Sequence, residues 1–300
     1  MKYYIQYPAY LICNLRCPYC FHYKELTTGL SSGNDPVGLG GPNFTVEEYC
    51  IWKNTHLKNA EEIIIHFHGG EPTMKKNIDF IETFLNKSSI EQVDILTNGL
   101  GSKESYKRMI NFKNRIFRIG LTYHRAVIDN DQKLRQRYIS NVFMLKDAGI
   151  DVYVKEMLII KYRTEIKANK RFWESVGVPV KIQDFKGYIK GEDFTELQQY
   201  TNDDISLLDK EYIKNINECT CLPGYRQIMI RGGWMSGDIL GCWIDPVVIG
   251  NIKDNTYNPN YKVEIEKIPG GKQIVTGVPK IYKGTYENDR YYDNLRKLGA

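Results

Sequence analysis

The chain has 300 residues, 42% of them hydrophobic, and 41 Lys and Arg against 36 Asp and Glu leave a formal charge of +5. That length and apolar content can bury one enzyme-sized core with an appendage, while the mixed charge reads as solvated surface and does not argue for a nucleic-acid partner. No internal repeat, heptad pattern or membrane-length apolar run occurs, and seven cysteines in a chain this long do not make a small secreted disulfide scaffold. Gln6 and Pro8 break the first apolar run, and Leu11-Ile12 stand where a cleavage signal needs small residues, so a reducing, cytoplasmic compartment is expected.

From residue 1 to about 185, short apolar runs alternate with amphipathic segments. Strands are predicted at 4–12, 62–67, 93–97, 116–122, 152–160 and 180–183, with helices between them at 45–57, 76–85, 102–112, 131–148 and 164–176. Thr45 followed by Glu48 reads as a capping box, and Gly149 as a helix stop. Cys50, beside Tyr49 and Trp52, reads as a small buried hydrophobe. Six alternations predict an α/β fold: a parallel sheet curled into a partial (β/α)6, TIM-like barrel over residues 1–195, with functional groups on the loops at the carboxyl ends of the strands. Residues 196–300 read as a linker helix, a β-hairpin/helix extension and a tail.

The loop after the first strand carries Cys13, Cys17 and Cys20, three thiols within eight residues and no fourth nearby. Three thiolates can hold three corners of a cubane iron–sulfur cluster and leave one iron open, whereas a closed structural zinc site needs four protein ligands. The second strand ends in His66-Phe67-His68-Gly69-Gly70-Glu71-Pro72, where paired glycines permit positive φ and Glu71 offers a carboxylate in an open mouth. Taken alone this is an ordinary tight turn with a solvated Glu. His66 and His68 share a face of the strand and, with no carboxylate nearby in sequence, read as core or pocket lining rather than as metal ligands. Thr97-Asn98-Gly99 closes the third strand as a plain turn signal, and Thr122 and His124 follow the fourth. Lys155 and Glu156 place two charges inside the fifth strand, facing either the barrel mouth or a paired surface edge.

The CxxxCxxC spacing, with Tyr19 before the last cysteine, resembles the signature of the radical S-adenosylmethionine (radical SAM) enzymes. The Gly69-Gly70-Glu71-Pro72 run resembles that family's GGEP motif one strand later, and Thr97-Asn98-Gly99 its TNG segment. The resemblance implies that Cys13, Cys17 and Cys20 hold a 4Fe-4S cluster whose open iron binds S-adenosylmethionine. It further implies that the backbone of the Gly69–Pro72 turn and the Glu71 carboxylate bind the methionine amino group, that Thr97 and Asn98 frame the same cofactor, and that Tyr19 lies near its adenine. Thr122 or His124 stands where the family offers a ribose partner, although the usual Asp-Gly ending is absent here. The implied chemistry is reductive cleavage to a 5'-deoxyadenosyl radical and hydrogen-atom abstraction from substrate, with an electron donor such as flavodoxin or ferredoxin as partner.

Cys219 and Cys221 precede a hairpin predicted at 227–230 and 239–242, which brings Cys242 toward them. This group resembles the start of the SPASM/twitch extensions, truncated because no cysteine follows Cys242. An auxiliary iron–sulfur cluster, a zinc site completed by a residue such as Asp245, and free thiols are the three readings of it. A Pro269-Gly270-Gly271 hairpin turn is predicted in the tail. Enzymes with such extensions act on peptides or proteins, which makes a peptide-modifying maturase the first expectation and a dehydrogenase, epimerase or rearrangement enzyme acting on a small molecule or nucleotide the second. A noncatalytic zinc module contacting nucleic acid is the alternative of a different class.

Overall fold

A computed structural model describes residues 2–7, 12–15, 17, 44–89, 91–184, 201–208, 227–230, 237–240, 248–259, 265–268 and 272–275. Six strands, β1 (Lys2–Tyr7), β2 (Glu62–Phe67), β3 (Glu91–Thr97), β4 (Ile116–Thr122), β5 (Val152–Leu158) and β6 (Val180–Asp184), pair side by side in that order, all parallel. The intervening helices are α1 (Val46–His56), α2 (Lys75–Lys87), α3 (Lys103–Ile110), α4 (Arg125–Ile128), α5 (Gln132–Asp147) and α6 (Arg163–Ser175). β1 and β6 do not pair with each other, so the sheet is open: the partial barrel expected from the six alternations.

Local chemistry explains these boundaries. At the start of α1, Thr45 Oγ1 accepts from Glu48 N at 3.1 Å and Glu48 Oε2 accepts from Thr45 N at 2.7 Å, a complete capping box. Gly149 ends α5 with φ +82, a conformation that costs a residue with a Cβ. Ile63, Ile65, Phe67, Val93, Ile95, Ile119 and Leu121 fall on one face of the strands and pack with Trp52, Phe84, Tyr106, Tyr138 and Trp173 of the helices. The opposite face carries Tyr4, His66, Asp94, Arg118, Tyr153, Lys155 and Lys181, which the register aligns strand by strand. β1 begins at Lys2, two residues before the predicted 4–12 run, whose residues 8–11 lie outside the described residues. Cys50 is only half-buried, its Sγ 3.9 Å from the Lys87 carbonyl, rather than a core residue.

The extension prolongs the same sheet instead of forming a separate layer. The predicted hairpin is present as β7 (Gln227–Ile230) and β8 (Asp238–Leu240); β7 lies parallel to β1, and β9 (Val248–Asn251) and β10 (Thr256–Tyr257) continue antiparallel, giving ten strands in the order β10-β9-β8-β7-β1-β2-β3-β4-β5-β6. Trp52 of α1, fully buried, donates from Nε1 to the Thr256 carbonyl at 3.1 Å and packs edge-on against Tyr257 at 5.6 Å. A separate hairpin, β11 (Ile265–Ile268) and β12 (Lys272–Val275), flanks the predicted Pro-Gly-Gly turn. A short helix, α7 (Asn202–Leu207), precedes the extension; the boundary predicted at 195 lies outside the described residues. No helix among the described residues is long and apolar enough to cross a membrane.

Candidate active site

Three segments far apart in sequence meet at the carboxyl ends of β1, β2 and β3. The Glu71 N–H donates to the Ile12 carbonyl at 2.6 Å, binding the second-strand turn to the cysteine loop. Cys13 Sγ accepts from Leu15 N at 3.4 Å and from Asn98 Nδ2 at 3.8 Å; Asn98 Nδ2 also reaches Asn14 Oδ1 at 2.7 Å, and Asn14 Nδ2 donates to the Leu100 carbonyl at 3.3 Å. Donors aimed at sulfur favour the thiolate, the form that ligates metal. Cys17 is buried and Cys13 half-buried on the same loop, whereas Tyr19 and Cys20 lie outside the described residues, as do Cys219, Cys221 and Cys242. Cys13, already supplied with N–H partners, and Cys17 on the same short loop suit an iron–sulfur cluster.

Gly69 and Gly70 adopt φ +74 and +54, and Gly99 φ +75, so both turns use the conformational freedom expected of them. Glu71, however, does not stand in an open mouth. Its carboxylate is 1% exposed: Oε1 accepts from Thr73 N at 2.9 Å, Thr73 Oγ1 at 2.5 Å and Thr97 Oγ1 at 2.5 Å, and Oε2 from Asn98 N at 2.7 Å. Burial pushes the carboxyl above its ordinary range, against the pull of those donors. Three donors on Oε1 and one on Oε2 make Glu71 a clamp that holds the two turns together beside the cysteine loop. Asn77 Nδ2 donates to the Glu71 carbonyl at 2.9 Å and completes the clamp. Pro72 is buried behind it.

Thr122, buried, ends β4, and His124 follows one strand beyond these turns. Burial, then the nearby Lys155 charge, lowers the His124 imidazole to about 4, so it is neutral at ordinary pH. Lys155 and Glu156 project to opposite faces of β5. Glu156 is 1% exposed, receives Arg125 Nε at 2.9 Å and a second bond from Arg125 Nη2, and accepts from Asn169 Nδ2 at 2.9 Å.

The sheet face opposite the helices holds a polar cluster that only strand register brings together. Asp94, fully buried, accepts on Oδ2 from Tyr4 OH at 3.1 Å and from Arg118 Nε and Nη2 at 3.1 and 3.0 Å, with His66 Nδ1 at 3.3 Å. Burial works against its charge, but the His66 and Arg118 bonds outweigh burial and hold the carboxyl below its usual range. His66 stacks between Tyr4 and His68, at centroid separations of 5.7 and 5.0 Å. Asp94, remote from the two histidines in sequence, is set directly beside His66 by the register. The one sequence signal was polar residues at matching parity in successive strands.

A family model of the radical SAM superfamily matches residues 7–168, just over half of the chain. The chain belongs to the radical SAM superfamily. A cysteine-type anaerobic sulfatase-maturating enzyme of Clostridium novyi (strain NT) is 26% identical over 138 residues, 44% of this chain and 33% of that protein; the chain thus aligns with about a third of that relative's length. Native anSMEcpe with bound AdoMet and Cp18Cys peptide superposes with a TM-score of 0.56 at 14% identity, covering 99% of this chain and 83% of that one. Native anSMEcpe with bound AdoMet gives 0.58 at 16% identity, covering 85% and 78%. These likenesses are of fold. Membership of the radical SAM superfamily implies a 4Fe-4S cluster and S-adenosylmethionine as the reactive pair.

Proposed function

We propose that Cys13, Cys17 and Cys20 hold the 4Fe-4S cluster and that the backbones of Gly69–Pro72 and of Thr97-Asn98 receive the methionine end of S-adenosylmethionine. Thr122 and His124 stand at its ribose, and Tyr19 at its adenine. The observation that carries this reading is the convergence on Cys13: the Asn98 amide at 3.8 Å from its Sγ and the Glu71 N–H at 2.6 Å from the Ile12 carbonyl join all three segments in one place. When bound, the cluster and S-adenosylmethionine supply one-electron cleavage to a 5'-deoxyadenosyl radical that takes a hydrogen atom from substrate. The chain's own part is positioning and exclusion of water: Glu71 fixes the turns, neutral His124 brings no proton to the cofactor end, and the Asp94-centred wall lines the interior that a substrate enters.

The substrate in this reading is a peptide or protein side chain, supported by the maturating relative and by the peptide bound to the solved one. Cys219, Cys221 and Cys242 hold an auxiliary iron–sulfur cluster in the extension. The test is anaerobic reconstitution with iron and sulfide, followed by reduction and chromatographic detection of 5'-deoxyadenosine. The intact protein should form it and Cys17→Ala should not; normal cleavage in Cys17→Ala overturns the cluster assignment. A cysteine-containing peptide deuterated in its side chains should pass deuterium to 5'-deoxyadenosine, and a label-free product rules out that peptide class as substrate. Iron retained in a variant lacking Cys13, Cys17 and Cys20 would belong to the auxiliary group, and none retained sinks that assignment.

A further inference from the structure

A cavity of about 760 Å³ has Asn14 of the cysteine loop in its wall. Its other lining residues include Lys75, Lys103, Lys133 and Arg137, and no Asp or Glu is among them. Lys75 pairs with Asp79 at 2.7 Å, while the Lys103, Lys133 and Arg137 side chains make no ion pair or hydrogen bond among the described residues. Lys133 and Arg137 are four apart on the first turns of α5 and so share a face, and Lys103 and Lys75 begin α3 and α2. The amino ends of α2 and α3 add their partial positive charge to the same opening, while at α5 the Asp131 carboxylate caps the Lys133 and Leu134 N–H groups and leaves the Lys133 and Arg137 side chains as the cations of that helix. Asn14 accepts from the amide of Asn98, which itself reaches Cys13 Sγ, so the wall of this cationic cavity is one side chain from a proposed cluster ligand.

Resting on the cluster reading above, the proposed reaction requires one electron from outside the chain at each turnover. A reduced donor gives that electron and leaves oxidised; the electron passes through the cluster into the sulfonium, whose C–S bond breaks to methionine and the 5'-deoxyadenosyl radical. We propose that the cavity and its Lys103, Lys133 and Arg137 rim are the docking face for an acidic protein electron donor. Charge complementarity selects that occupant: unpaired cations around an opening beside the redox centre steer an anionic carrier, and electron-transfer encounters need only a small interface, below about 1,200 Å². The steering weakens as salt screens it.

The experiment measures 5'-deoxyadenosine formation by the reconstituted holoenzyme, driven either by reduced flavodoxin, a small acidic flavoprotein, or by dithionite, which needs no docking site. Charge reversal in the Lys133→Glu/Arg137→Glu double variant should lower the flavodoxin-driven kcat/KM by about tenfold or more at low ionic strength and flatten its salt dependence. The dithionite-driven rate should stay within about twofold, since steering acts on encounter with the carrier and not on cleavage. An unchanged flavodoxin-driven rate overturns the proposal, as does an equal fall with both reductants, which would place the cavity in cofactor binding or folding. Wild-type enzyme that makes no 5'-deoxyadenosine with dithionite would instead overturn the cluster reading, and the docking face with it.

Discussion

Single residues in this site work by holding others in place. Glu71 is the clearest case, because four donors from two turns converge on one carboxylate. Glu71→Gln sets an amide N–H against one of those donors, and such an unsatisfied buried pair costs about 1–3 kcal/mol. Denaturant unfolding should show that loss, and an unchanged midpoint would mean the clamp is dispensable. His124 is predicted to leave a pH signature. Its imidazole is lowered to about 4 in the fold from its ordinary value of 6.5, so the unfolded chain binds the extra proton between those values. Stability therefore rises with pH across that window and is lost as pH falls through it, by at most about 3 kcal/mol from this one group. His124→Gln should flatten that part of the stability–pH curve; a curve of unchanged slope refutes the burial argument. Sequence chemistry could nominate Glu71 but not its direction, since a Glu between Gly and Pro looks solvated until Thr73, Thr97 and Asn98 fold around it.

At the scale of elements, caps and alternating apolar residues made most of the barrel legible. β2 and β4 occupy the predicted spans, because the Gly69-Gly70 turn ends one and the Thr97-to-Ile116 segment isolates the other. The four-residue α4 was invisible: it is too short to show a period and has no side-chain cap. The Asp94 cluster was equally hidden, since Tyr4 and Asp94 are 90 residues apart and only strand register joins them. Helix α1 has a role that its own pattern did not announce, anchoring the extension through Trp52. Trp52→Ala should cost about 3–5 kcal/mol of stability. It should also raise amide hydrogen exchange in β9 and β10, while unchanged exchange there would show that the strands hold themselves.

For the whole molecule, the pairing order matters more than the number of strands. Alternation predicted a curled parallel sheet, and the open β6 side agrees with it. What no local pattern could state is that β7 joins β1, because parallel partners lie more than two hundred residues apart and share no turn. That pairing changes how the sheet meets its surroundings. The strand leading into the cysteine loop would otherwise expose a row of backbone donors and acceptors, an invitation for another chain to add itself there. Instead, among the described residues, the sheet ends on that side in β10, a strand of two residues. A terminus so short offers another chain almost nothing to extend on that side of the sheet.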